Sequence, residues 1–238
     1  MRFDEPLIEV TFLRRYKRFL ADVRRADGSE LTVHCANSGS MKGCQPEGGR
    51  AWISDSKNPK RKLRFSLEAV EVDGARAMVN TARPNAFVEE AIAAGVIAEL
   101  QGYDRIRREV RYGSEKSRID LLLEKGPADA PTARCYVEVK NVTLGAGDGG
   151  CRFPDAVTTR GTKHLRELMG VVQAGDRAVL VFCASRSDTR WVGPADDIDP
   201  TYGETLRAAA RAGVSIIAYR LEIDAQQARL VEAVPVRL

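Results

Sequence analysis

The sequence has no apolar run of the roughly 18 residues that a membrane-spanning helix needs. Its first residues, Met1-Arg2-Phe3-Asp4-Glu5, put acids where a secretory leader carries a basic region and an apolar block, so a cytoplasmic location is expected. The five cysteines (Cys35, Cys44, Cys135, Cys151 and Cys183) are an odd number with no Cys-x-x-Cys pair. That argues against a disulfide framework and against a structural zinc site, and it predicts reduced thiols. His34 beside Cys35, with Cys44 nearby, does not restore a zinc site, because nothing completes four soft ligands. Internal repeats and low-complexity segments are also missing. What remains is a chain of 238 residues, 44% hydrophobic, long enough for one large or two modest folded domains.

The net charge of +4 is unevenly spread. Residues 1–84 carry 16 Lys/Arg against 11 Asp/Glu, whereas the remainder is close to neutral. Such a basic module suits a polyanion, although proteins that bind no nucleic acid also carry it. In this part, strand patterns over 16–24, 30–35, 51–54, 63–72 and 76–79 are separated by turn signals such as Asp27-Gly28 and Asp73-Gly74. Five short strands without a helix predict a small closed β-barrel of the OB-like kind. Lys57, Lys60, Arg61, Lys62 and Arg64 form a run without an acid, and Arg15, Lys17 and Arg18 add a second basic edge. Both could hold backbone phosphates or be ordinary solvated loops. Phe65, Tyr16 and Phe19 are either stacking platforms or barrel core.

Pro84 marks a domain boundary, with Asn85 as the expected N-cap of a helix over 86–100 that carries Glu89 and Glu90. Strands are predicted over 105–112, 118–124 and 135–141, then a helix over 158–173, a strand over 177–184, a helix over 202–212 and two final strands. This order predicts an α/β layer with a mixed sheet over residues 85–238. The Gly-rich stretch 143–154 is expected as a flexible loop.

Side chains alternate across a strand, so Glu138 and Lys140 share one face while Val137 and Val139 take the other. If the preceding strand pairs with this one, Asp120 adds a second carboxylate. Two carboxylates and an ammonium can hold a hard cation, Mg²⁺ or Mn²⁺, and activate a water. Cross-strand ion pairs on an ordinary half-exposed sheet would carry the same pattern.

The order of elements around Asp120 and Glu138-Val139-Lys140 resembles the PD-(D/E)xK nuclease superfamily. In that superfamily an acid of the first helix joins the metal site, which here would be Glu90 or Glu89. Larger pieces, among them Arg15-Tyr16-Lys17-Arg18-Phe19, His34-Cys35-Ala36-Asn37-Ser38-Gly39-Ser40-Met41, Val137-Glu138-Val139-Lys140-Asn141-Val142 and Phe153-Pro154-Asp155-Ala156-Val157-Thr158, resemble the sugar fermentation stimulation protein A family. The family favours Pro and Thr where this chain has Ala36 and Ser38, two mild departures.

The resemblance implies a DNA-binding protein with an OB-like domain (1–84) and a nuclease-like domain (85–238), in a family linked to sugar (maltose) utilisation. It favours Glu90 as the helix acid beside Asp120 and Glu138. Asp155 would be a further metal residue or a helix N-cap, and Lys163 and His164 would face phosphate or solvent. The expected partner is DNA, double- or single-stranded. The readings left open are Mg²⁺-dependent cleavage, non-catalytic regulation through DNA, and a module for RNA or another polyanion.

Overall fold

The computed structural model describes residues 1–238. Its first part contains β1 (Ile8–Tyr16), β2 (Leu20–Arg24), β3 (Glu30–Cys35), β4 (Arg50–Asp55), β5 (Phe65–Val72) and β6 (Ala75–Met78). Five of them close a ring: β2 lies between β1 and β3, β4 between β1 and β5, and a short parallel pairing of His34 and Cys35 with Ser66 and Leu67 joins β3 to β5. The barrel interior is filled by Phe12, Val23, Val33, Ile53, Leu67 and Val70. The expected five-stranded OB-like barrel is therefore present, with different membership. The segment 16–24 is not one strand: the chain reverses between Tyr16 and Leu20, and β1 precedes the reversal. The alternation of β1 is broken by a register shift between Phe12 and Arg14, which hides it from a period-2 reading. The strand expected near 76–79 is β6, a hairpin extension outside the ring.

Beyond Met78 the elements are α1 (Pro84–Ala93), a 3₁₀ turn (Ala98–Leu100), β7 (Arg105–Tyr112), β8 (Ser117–Lys125) and β9 (Ala133–Val142). They are followed by β10 (Leu144–Gly145), β11 (Gly150–Phe153), α2 (Thr159–Gln173), β12 (Arg177–Ala184), β13 (Trp191–Pro194), α3 (Pro200–Arg211), β14 (Ser215–Ile223) and β15 (Ala228–Ala233). The main sheet has the order β15-β14-β12-β9-β8-β7, parallel at β14-β12-β9 and antiparallel at its edges. This is the mixed α/β layer expected. Strand β12 is buried from end to end apart from Arg177 because both of its faces are covered. Val179, Val181 and Cys183 pack with Phe87, Val88 and Ile92 of α1, whereas Leu180 and Phe182 pack with Leu165 and Leu168 of α2 and Leu206 of α3.

Helix α1 is shorter than the expected 86–100. Gly95, at φ +74°, takes the left-handed position after the C-cap, and the Gly95 and Val96 amides return to the carbonyls of Ile92 and Ala91, a Schellman ending. The helix also starts earlier, with Pro84 at its first turn, so Asn85 is inside the helix and free of the capping role assigned to it. The Gly-rich stretch 143–154 is not a loop throughout. β10 and β11 pair antiparallel, and β11 runs parallel to β13, forming a three-stranded sheet. A Cβ at Gly150 would overlap the Trp191 ring at 2.2 Å, which is why that strand passes there with glycine.

The two parts touch along several lines. Phe3 and Leu7 amides donate to the Gln226 and Ala225 carbonyls, and the Met78 amide donates to Ser185. No helix is long and apolar enough to cross a membrane. All five thiols are buried and unbridged, and burial pushes Cys135 and Cys151 up to about 11 and Cys183 up to about 12. An aromatic disulfide reagent at pH 8 is therefore expected to titrate fewer than one thiol per native chain and all five after denaturation, since the thiolate is the reactive form. Fast reaction of several thiols in the native protein would contradict the buried placement.

Candidate active site

The ladder between β8 and β9 pairs Leu121 with Val137 and stops there. At the next position the Asp120 carboxylate replaces strand pairing, with Oδ2 accepting the Val139 amide at 2.7 Å and Oδ1 accepting Asn85 Nδ2 at 2.9 Å. The two strands part at this point, and a cleft opens between them, the first turn of α1 and the barrel. It holds a cavity of about 330 Å³ lined by Asp120, Glu138 and Lys140, by Arg152, Arg160 and His164, and by Asn37, Ser38 and Thr81 of the barrel.

Alternation along β9 sends Glu138 and Lys140 to the α2 face, beside Leu180 and Phe182 of β12. Glu138 is 2% exposed, and its Oε1 accepts Lys140 Nζ at 2.7 Å. His164 Nδ1 also contacts this oxygen. Arg160, one turn earlier on α2, places Nε 3.4 Å from His164 Nε2. A guanidinium can only donate, so Nε2 accepts, the imidazole proton sits on Nδ1, and His164 donates to Glu138. Lys140 Nζ lies 3.3 Å from the same Nδ1, a contact between two donors that converge on Glu138 Oε1.

A family model described as the SfsA N-terminal OB domain matches residues 13–80, and one described as the sugar fermentation stimulation protein RE domain matches residues 82–227. The chain belongs to the sugar fermentation stimulation protein (SfsA) family. The sugar fermentation stimulation protein homolog of Thioalkalivibrio sulfidiphilus is 57% identical over 92% of this chain and 90% of its own. The homolog of Geobacter metallireducens is 54% identical over the full length of both. Among solved structures, Pyrococcus furiosus SfsA in complex with Ca²⁺ superposes with a TM-score of 0.87 at 28% identity, covering 100% of this chain and 98% of that one.

In this SfsA-family chain the two carboxylates are pulled apart electrostatically. Burial, and then the Glu138 charge, pushes Asp120 up to about 6, against the hydrogen bonds from Val139 and Asn85. Burial raises Glu138 as well, but the Lys140 charge and the His164 hydrogen bond outweigh it, and this carboxyl sits below its ordinary value. No group of three or more His, Cys, Asp or Glu side chains gathers anywhere in the chain, so a cage made wholly of protein ligands is not built. Yet Glu138 Oε2 is buried without a hydrogen-bond partner, and the Asp120 carboxyl is near enough to feel the Glu138 charge. Two close carboxylates with an orphaned oxygen fit a hard cation that keeps several waters, as Mg²⁺ and Mn²⁺ do.

The expected site residues divide into two sets. Asp120, Glu138, Lys140 and His164 line one cleft. Glu90 does not: its Oε2 pairs with the Met1 amino group at 2.8 Å, its side chain is half-exposed, and it faces a different, largely apolar groove. Glu89 pairs with Arg108. Because α1 begins at Pro84, the turn that reaches Asp120 carries Asn85, and the two glutamates lie about one turn farther along. Asp155 lines the cleft but is not the cap of α2, a role filled by Thr158. Asp155 Oδ2 instead accepts Ser40 Oγ and the Met41 amide, each at 2.9 Å, tying α/β domain to barrel.

Lys163 donates to the Glu115 carbonyl outside the cleft. In the barrel, Lys57 pairs with Glu5, Arg64 with Asp55, and Arg61 donates to Ser66. Lys60, Lys62, Lys17 and Arg18 have no carboxylate partner, whereas Arg15 is spent on the carbonyls of Arg18, Asn37, Gly39 and Ser40. Asn85, Arg152 and Arg160 escaped sequence reasoning. For Arg160 the signal was available, since it stands four residues before His164 on one helix face.

Proposed function

We propose that this protein binds DNA and hydrolyses its phosphodiester bonds in the Asp120/Glu138/Lys140 cleft, with Mg²⁺ or Mn²⁺ as cofactor. One observation carries the reading: the parting of β8 and β9 puts both carboxylates and the lysine into a solvent-reached cavity that also contains two arginines. The Ca²⁺ complex of Pyrococcus furiosus SfsA supports a hard-cation site in the family. When bound by Asp120 and Glu138, such a cation supplies water activation and charge screening at the phosphate. Lys140 brings a fixed positive charge to the same place, where negative charge grows on the phosphoryl oxygens. Arg152 and Arg160 attract the backbone, and His164 holds Glu138 in one orientation. The basic barrel, with Lys17, Arg18, Lys60 and Lys62 free of acids, supports backbone binding, and Arg18 lines a groove that adjoins the cleft.

The test is incubation of plasmid and single-stranded DNA with the protein in Mg²⁺, Mn²⁺ or chelator; cation-dependent scission is expected, and intact DNA under every cation would sink the hydrolytic reading. In that event a DNA-binding regulator without cleavage stands ahead, a reading favoured by the absence of three clustered metal-ligating side chains: Asp155, the third carboxylate lining the cleft, is engaged by Ser40 and Met41 instead.

A pH effect follows from Asp120. Its carboxyl, pushed up to about 6, is ionised above that pH and takes up a proton below it, and the proton competes with the cation. Affinity for Mn²⁺, measured calorimetrically, is expected to hold steady from pH 8 to 7 and to weaken toward about tenfold per unit below pH 6. Equal affinity at pH 7.5 and pH 5 would count against Asp120 as a ligand.

A further inference from the structure

We infer that the strand served by this cleft is single-stranded DNA, led in past the tip of the β1–β2 hairpin, an inference that rests on the function proposed above. A second groove of about 470 Å³ adjoins the cleft and shares Ser38, Gly39, Phe153, Asp155 and Thr158 with it. Cavities of this size belong to the class that encloses small organic molecules, roughly 300–1,000 Å³, which is the scale of one or a few nucleotides. The walls are braced. Arg15 holds the barrel side by donating to the carbonyls of Asn37, Gly39 and Ser40 at 2.8, 2.9 and 3.1 Å. Asp155 fixes the opposite side to Ser40 and Met41, so the barrel and the α/β domain are tied together across the trough.

Arg18 lines this second groove, which brings the tip of the β1–β2 hairpin to its edge. Between Tyr16 and Leu20 the hairpin tip is Lys17-Arg18-Phe19. Lys17 and Arg18 stand at φ +49° and +63°, left-handed positions that cost a side-chain-bearing residue on the order of 1 kcal/mol each and that glycine would occupy freely. Two cations are thus kept at the tip despite strain, and neither has a carboxylate partner. Phe19 beside them is 50% exposed, and Val157, lining the second groove, is 71% exposed. They are two of the four exposed large apolar side chains of the chain, the others being Ile8 and Leu238. A duplex buries its base faces in its own stack; a single strand presents both phosphates to Lys17 and Arg18 and a free base face to Phe19.

The experiment is fluorescence anisotropy of the full-length protein in chelator, so that neither cation nor cleavage enters, against one labelled oligonucleotide offered as a single strand or as a blunt duplex. Tighter binding of the single strand by tenfold or more is expected. Phe19→Ala should lose about tenfold on the single strand, the typical yield of one base–aromatic stack, and leave the duplex unchanged. Ile8→Ala, an exposed apolar truncation outside the groove, should change neither. Equal or tighter duplex binding, or an unaltered Phe19→Ala, overturns this inference while the proposed hydrolysis stands. Binding of neither form overturns this inference, and the proposed hydrolysis is then judged by the cation-dependent scission test alone.

Discussion

Lys140→Ala is expected to lower cation-dependent DNA cleavage by about 10²- to 10⁴-fold, the range for removing a charge that acts on the transition state. The side chain is 13% exposed and its ammonium is held 2.7 Å from Glu138 Oε1, so its charge is fixed in place before substrate arrives. Asp120→Asn is expected to fall in the same range by a different route, since it removes one of two carboxylates without changing side-chain volume. The two variants differ in stability. Lys140→Ala strips one of two donors from a buried Glu138 whose Oε2 is already unpartnered, which costs on the order of 3 kcal/mol. Cleavage must therefore be compared well below the melting temperature of each variant, with DNA binding in chelator measured alongside. Loss of cleavage with binding retained supports the assignment. Wild-type rates in either variant would place the chemistry elsewhere.

Where the sequence could be read and where it could not follows from how each element is stabilised. Strand β12 is legible because an apolar run covered on both faces needs no neighbour to identify it. Helix α2 is legible through its apolar stripe, and both α2 and α3 through Gly175 and Gly213 after their ends, whereas their N-caps, Thr158 and Asp199, become evident only from the Gly161 and Tyr202 amides they accept. Glu138 and Lys140 share a face by alternation, whereas Asp120 joins them only through strand pairing, and the element order and family resemblance are what single the group out from ordinary cross-strand ion pairs. Strands β10, β11 and β13 have two to four residues each; β10 pairs with β11 across a short glycine-rich turn, but β11 is held by β13 some forty residues away, which no local pattern records. The resemblance points to an acid of the first helix, Glu90 or Glu89, but the helix begins at Pro84, two residues before the expected Ala86, so the turn that meets Asp120 carries Asn85. The sequence leaves His164 between phosphate and solvent because nothing local says that α2 packs against the Glu138 face of β9. That contact is a product of the sheet order.

The second large effect concerns the joint between barrel and cleft. Glu68 on β5 is 1% exposed, with Oε1 accepting Ser54 Oγ and Arg83 Nη2, each at 2.7 Å, and Oε2 accepting Asn80 Nδ2 at 2.9 Å and Arg83 Nε at 3.0 Å. Arg83 is the residue immediately before α1, so this bidentate pair fixes the start of the helix whose Asn85 holds Asp120. Arg83→Ala leaves the carboxylate buried with two neutral donors and is expected to cost about 3 kcal/mol, lowering the melting temperature by about 10 °C for a chain of this size. The penalty comes from the stranded charge more than from lost attraction. Adding Glu68→Gln to Arg83→Ala should therefore recover at least half of it, because a neutral amide keeps partners in Ser54 and Asn80. A single variant that melts within 2 °C of wild type, or a double variant no more stable than the single, would show that the pair does not hold the joint. Since the same joint seats Asn85 against Asp120, Arg83→Ala should also weaken Mn²⁺ binding, and the double variant should restore the two together.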